Sequence, residues 1–132
     1  MAGSTTTRSE KFEVPPGNET ILVYIKTTFV AYHRYIDAPE EVAFLRNWHR
    51  HVFHVMVMVE VTHANRDVEF FTLKRKVEEY IDVWFRDAHF ELSCEQIATM
   101  ILRDFEAKCV EVSEDGENGA VVQAPNTFIP GK

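Results

Sequence analysis

Two long stretches of the chain place an apolar residue at every second position. They cover residues 20–34 and 49–63. Side chains two residues apart on a β-strand point to the same face, so this period predicts two half-buried strands. One face of the first strand carries Ile21, Val23, Ile25, Phe29, Ala31 and His33, and one face of the second carries His49, His51, Phe53, Val55, Val57, Val59 and Val61. The two stretches therefore predict a sheet with one buried face.

Turn and helix signals predict the remaining elements. Residues 40–45 follow Pro39 and predict a short helical turn. Residues 63–67 predict a hairpin turn, and residues 68–71 predict a third strand. Two helices follow: an apolar stripe begins at Leu73, and Ser93 with Gln96 forms a capping-box pattern at the start of the second helix. Residues 109–114 and 120–123 predict two further strands around a turn at 115–119. The order β-β-β-α-α-β-β predicts an α+β fold, an antiparallel sheet with a pair of helices on one face.

Composition limits the domain count and the partners. The chain has 132 residues, of which 45% are hydrophobic, which suits one domain. We expect it over residues 20–123, between a flexible N-terminal arm (1–19) and a C-terminal tail (124–132). The formal net charge of −7 argues against nucleic acid as a partner, and no apolar run is long enough to span a membrane. No signal peptide is evident, and Cys94 and Cys109 form no disulfide framework, so we expect a cytoplasmic protein with reduced thiols.

Histidines at the ends of the two long strands are candidate metal ligands. His49 and His51 share one strand face, and His33 joins them if the two strands pair side by side. Three imidazoles with no obvious fourth protein ligand are typical of an open, catalytic type of zinc site. The alternative is that these histidines are ordinary packing residues. His54 and His63 are interpreted as such, because His54 lies on the opposite strand face from His51.

Several segments, in order, resemble motifs of the family of 6-pyruvoyl- and 6-carboxy-tetrahydropterin synthases. Phe29 to His33 resembles F-x-A-x-H, and His49 to Phe53 resembles H-G-H-[NST]-[FY]. The segment 68–74 resembles V-x-D-F-x-x-L-K, the segment 93–96 resembles T-[SA]-E-N, and the segment 110–114 resembles V-x-V-x-E. The resemblance covers about residues 20–123. It implies the tunnelling fold, a ββααββ unit that assembles into homo-oligomers, either trimers or hexamers.

The resemblance also implies roles for individual residues. His33, His49 and His51 would hold Zn²⁺, whose open position takes substrate oxygens. Glu114 would anchor a pterin by accepting parallel hydrogen bonds from the ring N–H and the amino group. Ser93 and Arg50 complete the expected substrate-binding set.

The chain also departs from the family at the residues that move protons. The catalytic cysteine expected before H-G-H is missing from residues 43–48, and Arg50 replaces the central glycine. The family's L-D-H segment is replaced by residues 85–89, in which Asp87 and His89 are candidate proton carriers. Cys94 is a further catalytic candidate, because a helix N-terminus lowers a thiol pKa. The alternative for Cys94 is a small packing residue.

Three functions remain open from the sequence. The first is a zinc-dependent lyase acting on a pterin triphosphate such as dihydroneopterin triphosphate. The second is a non-catalytic or altered-chemistry protein that binds a purine or pterin nucleotide, with Arg34, Arg46 and Arg50 available to phosphate. The third is a structural oligomer without a metal.

Overall fold

A computed structural model describes residues 14–125 of the chain. Most of the predicted arm (residues 1–13) and most of the predicted tail (residues 126–132) lie outside the described residues, so the domain boundaries stay predictions. The elements are β1 (Ile21–His33), a 3-10 helix (Glu40–Arg46), β2 (His49–Val61), α1 (Phe70–Trp84), β3 (His89–Phe90), α2 (Cys94–Phe105), β4 (Cys109–Glu114) and β5 (Asn118–Gln123). None of the helices within 14–125 has the length and hydrophobicity to cross a bilayer.

The sheet has the strand order β3-β1-β2-β4-β5. β1 and β2 pair antiparallel from Ile21 opposite Val61 to His33 opposite His49. β4 and β5 extend the sheet antiparallel on one side, and β3 adds a short parallel bridge on the other. Because β1 and β2 are in full register, the histidines at their ends meet at one end of the sheet.

Both helices pack on the same face of the sheet. The alternating residues of β1 and β2 form that face, and the apolar stripes of α1 and α2 cover it, as the sequence predicts. The side chains of Phe29, Phe53 and Phe85 are almost fully buried and stack, with ring centroids 5.0 Å apart for Phe29 and Phe53. The largest fully buried side chains are Phe29, Phe53, Phe85, Ile81, Ile97, Ile101, Val55, Val57, Val77, Val110 and Val112.

The predicted third strand at residues 68–71 is wrong. This segment leads directly into α1, which begins at Phe70. The Glu69 side chain caps the helix, because its carboxylate accepts hydrogen bonds from the backbone N–H groups of Phe71 and Thr72. These bonds satisfy donors that the first helical turn leaves unpaired. The predicted turn at 63–67 therefore joins a strand to a helix and closes no hairpin.

The hairpin between β4 and β5 brings acidic residues to the end of the sheet. Its turn contains Asp115 and Gly116, whose φ angles of 57° and 72° are both positive, as tight hairpin turns require. Gly119 lies so close to β4 that a Cβ atom there would be 2.1 Å from the carbonyl oxygen of Val112. The tight pairing fixes the position of Glu114, the last residue of β4.

Candidate metal site and adjoining cleft

His33, His49 and His51 converge at the end of the helix-covered sheet face. His33 lies opposite His49 in the ladder, and His51 lies opposite Ala31, next along the same face. One possible ligand atom from each side chain lies within 4.8 Å of those of the other two. The convergence predicted from strand spacing is therefore present in the structure.

Each imidazole directs its Nδ1 atom at an oxygen atom outside the cluster. His33 Nδ1 lies 3.3 Å from the carbonyl oxygen of Leu92, and His49 Nδ1 lies 2.8 Å from that of Asn47. His51 Nδ1 lies 2.6 Å from Oδ2 of Asp115. Because a carbonyl or carboxylate oxygen can only accept, the hydrogen of each neutral ring belongs on Nδ1. In that neutral form each Nε2 atom carries a lone pair, and a metal-binding histidine normally has such an outer partner on its other nitrogen.

The Nε2 atom of His33 is the strongest sign that the cluster suits a metal ion. It is buried and, among the described residues, no group meets it with hydrogen-bond geometry, although Oε2 of Glu114 lies 3.2 Å away. A buried nitrogen without a partner is costly. Coordination of a cation would satisfy it, and neutral imidazole is a common ligand of zinc and related metals. The donor set and its orientation therefore fit the metal that the sequence predicts.

Glu114 lies directly beside the histidines. Its Oε2 atom is 3.2 Å from His33 Nε2 and its Oε1 atom is 3.7 Å from His51 Nε2. Contact with His33 lowers the pKa of Glu114, and the charges of the neighbouring imidazoles add to this effect against the opposing effect of burial. Burial alone would lower the pKa of His33, but Glu114 and the Leu92 carbonyl outweigh it and raise that pKa. The carboxylate therefore makes the cluster attractive to positive charge.

Asp115 and Asn118 support the site and were not predicted from the sequence. Asp115 accepts a hydrogen bond from the backbone N–H of Val52 at 3.0 Å through Oδ1, while Oδ2 faces His51. The Val52 N–H, followed by His51, lowers the pKa of the Asp115 carboxyl. Asn118 donates a hydrogen bond to Oε1 of Glu114 at 3.2 Å. The sequence signal that could have indicated Asp115 is the Asp-Gly turn, which places this acidic residue directly after Glu114.

A cleft of about 660 Å³ opens next to the histidines, a size typical of small-molecule sites. His33, His49 and Glu114 line one side, and Ser93 with its neighbours at the start of α2 lines another. Ser93 caps α2 by accepting from the Gln96 N–H, and the Gln96 side chain accepts from the Ser93 N–H. The predicted capping box is thus confirmed, and it places Ser93 in the cleft.

The structure does not bring Arg50, Asp87 or His89 to the histidine cluster. Arg50 pairs with Tyr32 on the opposite face of the sheet. His89 stacks on the Tyr32 ring at 4.7 Å, and its neighbour Phe90 is the residue paired with His33. Asp87 is exposed in the turn before β3. Strand alternation separates all three from the trio, because they belong to the other face or to a turn beyond it.

Cys94 lies in the cleft wall as a buried thiol. Its side chain is 6% exposed, and burial, with the negative charges of Glu114 and Glu95, raises its pKa to about 12. The thiol is therefore protonated at neutral pH, although a helix N-terminus alone would favour the thiolate. The environment of Cys94 corresponds to the packing alternative.

These elements define an α+β protein in which two helices cover one face of an antiparallel sheet, with three histidines at the ends of its long strands. The fold is shared with solved structures, including the following two. An uncharacterized protein from Wolinella succinogenes superposes with a TM-score of 0.67 at 12% identity, over 82% of this chain and all of that chain. The 6-pyruvoyl tetrahydropterin synthase of Caenorhabditis elegans superposes with a TM-score of 0.64 at 14% identity, over 81% of this chain and 97% of that chain.

The predicted tunnelling fold is thereby confirmed. No protein-family profile matches the chain, and a search of curated proteins gave no match. At identities this low, the likeness defines the fold alone.

Proposed function

We propose that this chain binds a zinc ion through His33, His49 and His51 and binds a pterin or purine nucleotide in the adjoining cleft. The observation that carries the proposal is the convergence of the three imidazoles, which bring one possible ligand atom each within 4.8 Å of the others, while each Nδ1 atom faces an oxygen outside the cluster. The choice of zinc and of a pterin-like ligand rests on the motif resemblance and on the shared fold.

The cleft offers groups suited to a ring with an attached phosphate. Glu114 can accept hydrogen bonds from a ring N–H and an amino group, and Ser93 lies in the same wall. Arg34 also lines the cleft, and it is held by Glu91 at 2.8 Å and by the ring of Trp48 at 4.5 Å. A guanidinium in this position provides the positive charge that a phosphate group needs.

Binding with altered chemistry is favoured over the standard lyase reaction. A bound zinc ion would polarise a carbonyl or hydroxyl group of the ligand. A lyase also needs a base to accept a proton, and this chain has no cysteine before His49. Cys94 stays protonated, and Asp87 and His89 lie away from the trio. Glu114 and Asp115 lie beside the histidines, but the lowered pKa of each carboxyl makes it a weak proton acceptor.

The lyase remains the second candidate, favoured by the histidine trio on a pterin-synthase fold. Incubation of the zinc-loaded protein with dihydroneopterin triphosphate separates the two functions. Release of triphosphate supports the lyase. Ligand-induced stabilisation without turnover supports binding.

Metal analysis and a thermal-shift panel of guanine nucleotides and pterins test the main proposal. We expect about one zinc per chain and an increase in melting temperature with at least one ring ligand. His51→Ala should lose zinc. The matched control is His54→Ala, on the same strand but the opposite face, which should retain it. A wild-type protein unable to take up zinc would refute the proposal.

A further inference from the structure

The carboxylate of Glu114 lies beside two of the three proposed metal ligands. Its oxygen atoms lie 3.2 Å from His33 Nε2 and 3.7 Å from His51 Nε2. Zinc bonds to nitrogen or oxygen ligands measure about 2.0–2.2 Å, so two ligand atoms of a tetrahedral zinc site lie about 3.3 Å apart. Each of the two distances is close to the spacing of ligand atoms around one ion, with Oε2 facing His33 and Oε1 facing His51.

The contact between Glu114 and the histidines needs positive charge between the partners. The Nδ1 hydrogens of the neutral rings face oxygen atoms outside the cluster. Each Nε2 atom then presents a lone pair, and an ionised carboxylate can only accept hydrogen bonds. Lone pairs facing a carboxylate repel one another. Positive charge between the partners, either a proton on Nε2 or a metal ion bound by both, converts this repulsion into attraction.

The carboxylate is also held in this orientation. Asn118 donates to Oε1 at 3.2 Å, and Glu114 ends a strand paired with Phe53 of β2. The Glu114 side chain is only 24% exposed. Its direction toward the trio therefore results from the hairpin and from a specific hydrogen bond.

We propose that Glu114 is the fourth protein ligand of the metal in the ligand-free protein, so that the centre is closed until a ring ligand displaces this carboxylate. The inference rests on the proposed metal site. It changes the predicted open, three-histidine centre into a centre with four protein ligands. Glu114 then serves the metal in one state and the ring ligand in the other.

Zinc affinity measured by competition with a chromophoric chelator tests this role. Glu114→Gln keeps the shape of the side chain but removes its charge. Glu114→Asp keeps the charge but withdraws the oxygens by one methylene group. We expect both variants to bind zinc at least roughly 10- to 100-fold more weakly, since even the loss of an outer-shell partner has an effect of that size. The control Glu117→Gln, an exposed position in the same hairpin, should bind zinc as the wild type does.

The outcomes separate this inference from the proposed function. Wild-type zinc affinity in Glu114→Gln would overturn the inference while leaving the three-histidine site intact. Wild-type affinity in Glu114→Asp would also overturn it, because charge without coordination would then suffice. Absence of zinc binding in the wild type would refute the metal site itself. Circular dichroism of each variant verifies that the fold is retained.

Discussion

At the scale of single residues, the outer partners of the imidazoles decide what the cluster can bind. His33 and His49 face main-chain oxygens, whereas His51 faces the Asp115 carboxylate. A main-chain partner cannot be removed by substitution, but a carboxylate can. Asp115 is therefore the position at which the orienting role can be tested separately from the ligand role.

Asp115→Asn should weaken zinc binding by roughly 10- to 100-fold, the usual effect of losing an outer-shell partner of a ligand. The amide can still accept from the Val52 N–H through Oδ1, so we expect the fold to persist. The control is Asp67→Asn, whose carboxylate accepts from Thr62 at the far end of β2 and should leave zinc affinity unchanged. Competition with a chelator measures the zinc affinity of both variants. Equal affinities for Asp115→Asn and the wild type would contradict the role of Asp115 in orienting His51.

At the scale of elements, the sequence predicted those parts whose signal is periodic. The alternation in residues 20–34 and 49–63 predicted β1 and β2, and the Ser93 and Gln96 pair predicted the start of α2. The prediction of a strand at residues 68–71 was wrong because these residues have the composition of a strand. In the structure α1 begins there, and the N–H groups of its first turn bind Glu69, a residue type that is less common as a helix cap. The sequence pattern did not indicate the two-residue strand β3, so it gave no position for Asp87 and His89 relative to the trio.

The cap of α1 provides a pH test. Hydrogen bonds from Phe71 and Thr72 lower the pKa of Glu69 below its ordinary value of 4.5. A lowered folded-state pKa means that this contribution to stability is complete above the unfolded-state value and is lost as pH falls through the folded-state value. Glu69→Gln should therefore be less stable than the wild type near pH 7, and the difference should shrink in acid.

Urea unfolding of both proteins at several pH values measures this difference. Glu79→Gln, at an exposed position of the same helix, is the control for removing one charge. A Glu69→Gln difference that stayed constant from neutral to acid pH would contradict the capping role of the carboxylate.

At the scale of the whole molecule, the candidate site exists only when the sheet is assembled. His33 comes from β1, His49 and His51 come from β2, and Glu114 comes from β4, so the unfolded chain does not hold these ligands together. A metal that binds only the folded state stabilises it by mass action. Zinc binding and folding should therefore be coupled in this chain.

Zinc at a free concentration 100 times its dissociation constant should raise the free energy of unfolding by about 2.7 kcal/mol, less any binding to the unfolded chain. Urea unfolding with excess chelator and with buffered zinc measures the increase. At the same free zinc concentration His51→Ala should lose most of this increase in the free energy of unfolding, because one of the converging ligands is gone. His54→Ala should keep the increase. An equal increase in His51→Ala would mean that zinc stabilises the protein elsewhere, since His51 is one of the three converging ligands.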